Sequence, residues 1–177
     1  MLEKITIPML CVMILVAVLS GLICGALHRK HLIVKHKAIA ITILVTYLFF
    51  VLCITLSGRV AASYYSYKLQ PLWSWRMILR GERKLIAENI WNIVLFVPIG
   101  ILIPIAVSPN KWIIGLPFAL SVFIEVTQLL SKIGLFEFDD IIHNTIGALV
   151  GILIYRIIRL FKARVTYTIS TVDNTDR

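Results

Sequence analysis

Apolar residues fall in five long blocks separated by short polar gaps: about Ile5–Leu27, Ala38–Ser57, Ile90–Val107, Trp112–Ser131 and Ile141–Phe161. Each is near the ~20 residues a helix needs to cross a ~30 Å hydrocarbon layer. Almost nothing polar interrupts them, so none has the polar face of a helix packed on a water-soluble core. The pattern predicts an all-α fold, a polytopic transmembrane helix bundle of about five spans. No repeat, low-complexity tract or long linker divides the chain. Residues 1–177 therefore read as one membrane domain, with a short polar C-terminal tail at 162–177.

The first block is too long for the about 7–15 apolar residues of a signal peptide, and basic residues follow it rather than precede it; it reads as an uncleaved span. The longest connection, Gly58 to Asn89, carries Tyr64, Tyr65, Tyr67, Trp73 and Trp75 among Arg and Lys, with Trp91 just beyond it. Aromatic residues with basic neighbours prefer the membrane–water interface. An aromatic belt at the span ends is the favoured reading, with a short flat helix over Met77–Glu88 as the alternative. Pro98 and Pro104 in the third block, and Gly115 and Pro117 in the fourth, point to kinked helices around a polar cavity.

Composition agrees with this pattern. The chain is 59% hydrophobic and 15% charged, against about 25% charged in an ordinary globular domain. The net charge of +9 would raise nucleic acid as a partner in a soluble protein. Here the basic residues sit in the gaps between spans, such as Arg29, Lys30, Lys35 and Lys37, and Arg156, Arg159, Lys162 and Arg164. That placement suits lipid head groups and topology control, not nucleic acid. With Arg29–Lys37 and the C-terminus cytoplasmic, ten Lys/Arg lie inside and eight outside. The C-terminal cluster abutting the last span favours this orientation. Cys11 and Cys24, thirteen residues apart on one helix, are roughly 20 Å apart and cannot pair; with Cys53 they read as small apolar residues.

Glu125, within the fourth block, is the most informative residue. A charge at the bilayer centre costs roughly 2.5–3.5 kcal/mol on insertion scales, so it should face the bundle interior. Ser121, Glu125, Gln128 and Lys132 follow at i+4, i+3 and i+4 and form one polar stripe. Functional acid and interhelical glue are both open readings.

A second cluster is Phe136-Glu137-Phe138-Asp139-Asp140-Ile141-Ile142-His143-Asn144, at the start of the last span. Asp139 and Asp140 suit the positive end of a helix dipole; with Glu137 they are also weak candidates for a divalent cation site. His143 reads as an interfacial residue. Asp140, Asn144, Gly147, Gly151 and Tyr155 share one face, and the Gly-x-x-x-Gly spacing admits a close helix. This face is expected to dock on the Glu125 stripe. In the third block, Asn89 and Asn92 share a face; Asn92 is a candidate ligand group, and Asn89 a helix cap. No Walker loop, Gly-x-Ser-x-Gly elbow, His-Glu-x-x-His or Cys-x-x-Cys occurs, which disfavours an ATPase, a serine hydrolase or a zinc protease.

Three motifs in order, Asn89-x-x-Asn92-x-x-x-Phe96-x-Pro98-x-Gly100, Ser121-x-x-x-Glu125-x-x-Gln128 and Phe136-x-x-Asp139-Asp140-x-x-x-Asn144-x-x-Gly147-x-x-x-Gly151, resemble the VanZ-like family of bacterial membrane proteins. The resemblance covers roughly 69–155. Glu137 departs from the aspartate common there, and a basic residue before Phe136 is missing unless Lys132 substitutes. The resemblance implies a multi-pass protein of the bacterial cytoplasmic membrane, related to one that gives low-level teicoplanin resistance.

The preferred expectation is a non-catalytic role: binding a lipid-linked cell-wall precursor, or altering glycopeptide access to it, through Asn92, Glu125, Gln128, Asp139, Asp140 and Asn144. One alternative is a membrane-embedded enzyme acting on a lipid head group, with Glu125 or Asp140 catalytic and a divalent cation on Asp139 and Asp140. A proton-coupled transporter is a third. No cofactor is expected under the first reading.

Overall fold

The computed structural model describes residues 6–57, 61–107 and 112–175, with side chains described as far as Val165. Ile5 and Gly58, where the sequence places the start of the first span and of the long connection, lie outside the described residues. Five helices are long and apolar enough to cross a membrane. They are α1 (Ile7–Arg29), α2 (Lys35–Leu56), α4 (Lys84–Ala106), α5 (Trp112–Leu130) and α6 (Phe138–Thr175). Between α2 and α4 lie a three-residue strand, β1 (Ser66–Lys68), and a short helix, α3 (Trp73–Leu79); a second strand, β2 (Leu135–Glu137), joins α5 to α6.

Large apolar side chains such as Ile14, Leu22, Ile43, Phe123 and Leu153 are exposed around the bundle. In water such a girdle would drive aggregation; in lipid it is the solvated surface. The chain is a multi-pass membrane protein. Packing proceeds from α1 on α2, to α2 on α4, to α4 on α6, with α5 against α6. The core lies among the last four spans, centred on Val51, Phe96, Ile99 and Ile124. Pro98 cannot donate to the Val94 carbonyl, and beside this gap the Tyr47 hydroxyl donates to the Leu95 carbonyl at 3.0 Å, tying α2 to α4.

Among the described residues, α4 and α6 pack especially closely. A Cβ at Gly147 would lie 2.1 Å from the Ile93 carbonyl oxygen, at Gly151 2.1 Å from that of Val97, and at Gly100 2.0 Å from that of Ala148. Only glycine permits backbones to approach this far. The expectation that the face shared by Asn144, Gly147 and Gly151 docks on the Glu125 stripe holds at Asn144, which bonds Ser121, and is corrected for Gly147 and Gly151, which pack on α4 where Gly100 supplies the matching gap.

A further expectation changes. Met77–Glu88 is not one flat helix; α3 ends at Leu79, and Gly81, at φ 107, turns the chain into α4. The polar tail after Phe161 is helical, since α6 continues to Thr175, 38 residues in all. At 1.5 Å per residue that is about 57 Å, so its end projects beyond a ~30 Å hydrocarbon layer.

The strands, α3, and the ends of α2, α4, α5 and α6 meet at one end of the bundle, here termed the cap. β1 and β2 pair in parallel, with Ser66 opposite Leu135, Tyr67 opposite Phe136 and Lys68 opposite Glu137. The Ala62 amide donates to the Lys132 carbonyl at 2.8 Å, extending this tie.

Candidate functional site

The site is built where α6 begins. Asp139, in its first turn, points at α3: one carboxylate oxygen accepts from the Leu72 amide, and the other from the Ser74 amide at 2.8 Å and the Ser74 hydroxyl at 2.6 Å. These bonds hold Leu72 in a left-handed conformation, φ 59, which costs a residue with a Cβ about 1–2 kcal/mol. The Asn89 amide on α4 donates to the Ser74 hydroxyl at 3.1 Å. Asn89 is thus an interior residue of α4 that supports α3, not the cap expected of it. One turn after Asp139, the Trp75 indole donates to His143 Nε2 at 3.0 Å. His143, in the second turn of α6, is buried within the protein. The aromatic segment supplies the indole that covers it.

Glu125 lies five residues before the end of α5 and is bonded to the cap. Its Oε2 accepts the Glu137 amide of β2 at 2.9 Å. One turn earlier on α5, the Ser121 hydroxyl accepts from the Asn144 amide of α6 at 2.8 Å. Since α5 runs toward the cap and α6 away from it, this bond sets Glu125 and Asp140 on facing turns of the two helices. Gln128 donates to the Thr55 carbonyl at 3.2 Å, joining α5 to α2. Lys132 does not continue the stripe. It sits past the helix end at φ 55, where its backbone completes a Schellman closure with the Ile133 amide on the Gln128 carbonyl, and its ammonium lies 4.7 Å from the Tyr65 ring centre.

Glu125, Asp139, His143 and Asn144 are all at least nine-tenths buried; Asn92 is half-buried and takes no part in these hydrogen bonds. Beside them Glu137 is half-buried on β2. Burial, and then the negative charges of Asp140, Glu88 and Asp139, push its carboxyl up to about 7, with Lys68 opposing. Among the described residues, no group of three or more His, Cys, Asp or Glu is arranged to hold a metal ion.

Three buried polar atoms in this region have no hydrogen-bond partner: Trp73 Nε1, His143 Nδ1 and Asn144 Oδ1. His143 Nε2 accepts from the Trp75 indole, so in the neutral ring Nδ1 carries the proton. The orphans are therefore two N–H donors and one carbonyl acceptor. Each unmade bond costs about 1–3 kcal/mol, so three buried polar atoms left in this state are unusual for a folded chain. Sequence reasoning missed Ser74, Trp73 and Trp75 as members of this site; only their place in an aromatic segment set them apart.

No curated protein and no solved structure matches the chain. A family model described as VanZ/LLP1 matches residues 37–159, more than two thirds of its length, and takes in the asparagine, glutamate and Asp139-Asp140 motifs together. The chain belongs to the VanZ/LLP1 family.

Proposed function

We propose that this protein acts in the bacterial cytoplasmic membrane with its cap facing outward, where it binds a lipid-linked cell-wall precursor or alters glycopeptide access to it. Through this it contributes to low-level teicoplanin resistance. The observation that carries the reading is the set of unpartnered buried donors and acceptor at Trp73, His143 and Asn144. The same region exposes Tyr64, Tyr65, Tyr67 and Trp75, and the Trp75 indole is bonded to His143. A ligand bearing amides at the membrane surface would supply both an acceptor for the two N–H groups and a donor for Asn144 Oδ1, and the exposed aromatics would hold it at head-group depth. The orientation rests on the basic cluster after Tyr155 being cytoplasmic. Asp139 spends both oxygens on α3, which favours binding over the metal-assisted enzyme.

Expression in a teicoplanin-sensitive host tests this. Tolerance rises with the wild-type chain and is abolished by Glu125→Ala at equal protein level, whereas Glu125→Gln, which keeps an acceptor for the Glu137 amide, preserves the cap. Unchanged tolerance with the wild-type chain removes the resistance reading.

A further inference from the structure

At the end opposite the cap, the first turn of α2, the last turn of α4 and one face of α6 enclose a cavity of about 550 Å3. His36 and Lys37 of α2 and Arg159 and Lys162 of α6 make it basic, and none of the residues lining it is acidic. Among residues whose side chains are described, that is as far as Val165, the acidic ones run from Glu82 to Asp140 and lie toward the cap. Arg159 and Lys162, three residues apart, share a helix face with Tyr155. A second cavity, of about 350 Å3, shares Pro104, Tyr155 and Arg159 with the first. It continues over Ile113, Ile152, Leu160 and Ala163, with Arg156 also on its wall, between α4, α5 and α6. Arg159 therefore lines both a cationic recess and a mainly apolar one.

We infer that these joined cavities are a binding site for an anionic phospholipid. The phosphate is held by Arg159, Lys162, Lys37 and His36, and an acyl chain lies along the Ile113–Ile152–Leu160 wall. Cations from two helices, converging where one membrane face begins, match a phosphodiester at head-group depth. Arg159 can engage two of its oxygens at once. The apolar continuation distinguishes a lipid from a free phosphate, which has no use for it. The site is at the other end of the molecule from the cap and does not rest on the function proposed for it.

Native mass spectrometry of the full chain in detergent, with dioleoylphosphatidylglycerol and dioleoylphosphatidylcholine at equal concentration, tests the assignment. Phosphatidylglycerol should be retained in clear excess. The excess should fall about thirtyfold in Arg159→Gln/Lys162→Gln, on a scale of about fivefold per basic side chain. It should persist in Arg29→Gln/Lys30→Gln, which removes the same charge from the same end without touching the cavity. Thermal unfolding in detergent verifies that both variants fold, and Arg159→Lys, which keeps the charge, retains most of the excess. Equal retention of the two lipids overturns the site, as does an equal loss in both double variants. Inorganic phosphate displacing the lipid at equal concentration overturns the acyl-chain contact and leaves an anion site only.

Discussion

The Asp139 carboxylate accepts both the backbone amide and the hydroxyl of Ser74, 65 positions earlier in the chain. This relationship joins the last span to the short helix between the second and third, and it governs what the acidic motif is for. A carboxylate committed to two backbone amides and a hydroxyl is anchored as an organiser of the cap.

Asp139→Asn replaces one of the two accepting oxygens with an NH2 group that opposes an N–H donor. Hydrogen bonds to a charged group contribute about 1.5–3 kcal/mol, so the variant should lose roughly 2–3 kcal/mol of cap stability. Ser74→Ala should lose about 1 kcal/mol. Proteolysis in detergent at 61–72, with tryptophan fluorescence of Trp73 and Trp75, reads the opening. A variant as resistant as wild type would show that α3 is held by other contacts.

The α4–α6 seam predicts a sharp contrast among glycines. Gly147→Ala and Gly100→Ala each drive a methyl into a backbone carbonyl at about the 2 Å approach noted above. Overpacking costs typically 1–3 kcal/mol, and a backbone neighbour that cannot turn aside places these at or above that range. Gly25→Ala meets nothing within 4 Å and should be neutral or stabilising, since alanine is the better helix former. Melting temperatures of the three variants in one detergent decide it.

Glu137 makes the cap sensitive to pH. Its carboxyl is raised to about 7 from an ordinary value of 4.5, so between these values the folded chain binds a proton that the unfolded chain has lost. That stabilisation is complete below about pH 4.5 and disappears as pH rises through about 7. Cap stability should therefore decline from pH 5 to 8, and Glu137→Gln should flatten the slope. A slope unchanged in Glu137→Gln would assign the dependence to another group.

Orientation is open to labelling. In a background with Cys11, Cys24 and Cys53 replaced, Tyr64→Cys should react with a membrane-impermeant maleimide in intact cells, and His36→Cys only after lysis. The reverse pattern would turn the cap to the cytoplasm and end the precursor-binding proposal.

Much was legible along the chain, because crossing a membrane is a local requirement. Length and apolarity alone locate the five spans, and helix periodicity alone puts Ser121, Glu125 and Gln128 on one face. The same periodicity shows that Gly147 and Gly151 share a face and that a close partner must meet it. Periodicity does not say which partner, and the answer was α4, because Gly100 there leaves room for carbonyl oxygens. Nor does spacing reveal that Asp139 would be taken up by Leu72 and Ser74, or that Trp75 would bury His143. Those pairings cross 65 or more positions and depend on how α3 is laid over the bundle end. A helix hydrogen-bonds within itself and announces its period. A cap is made of bonds between segments remote in sequence, and only the folded arrangement of the helices brings those segments together.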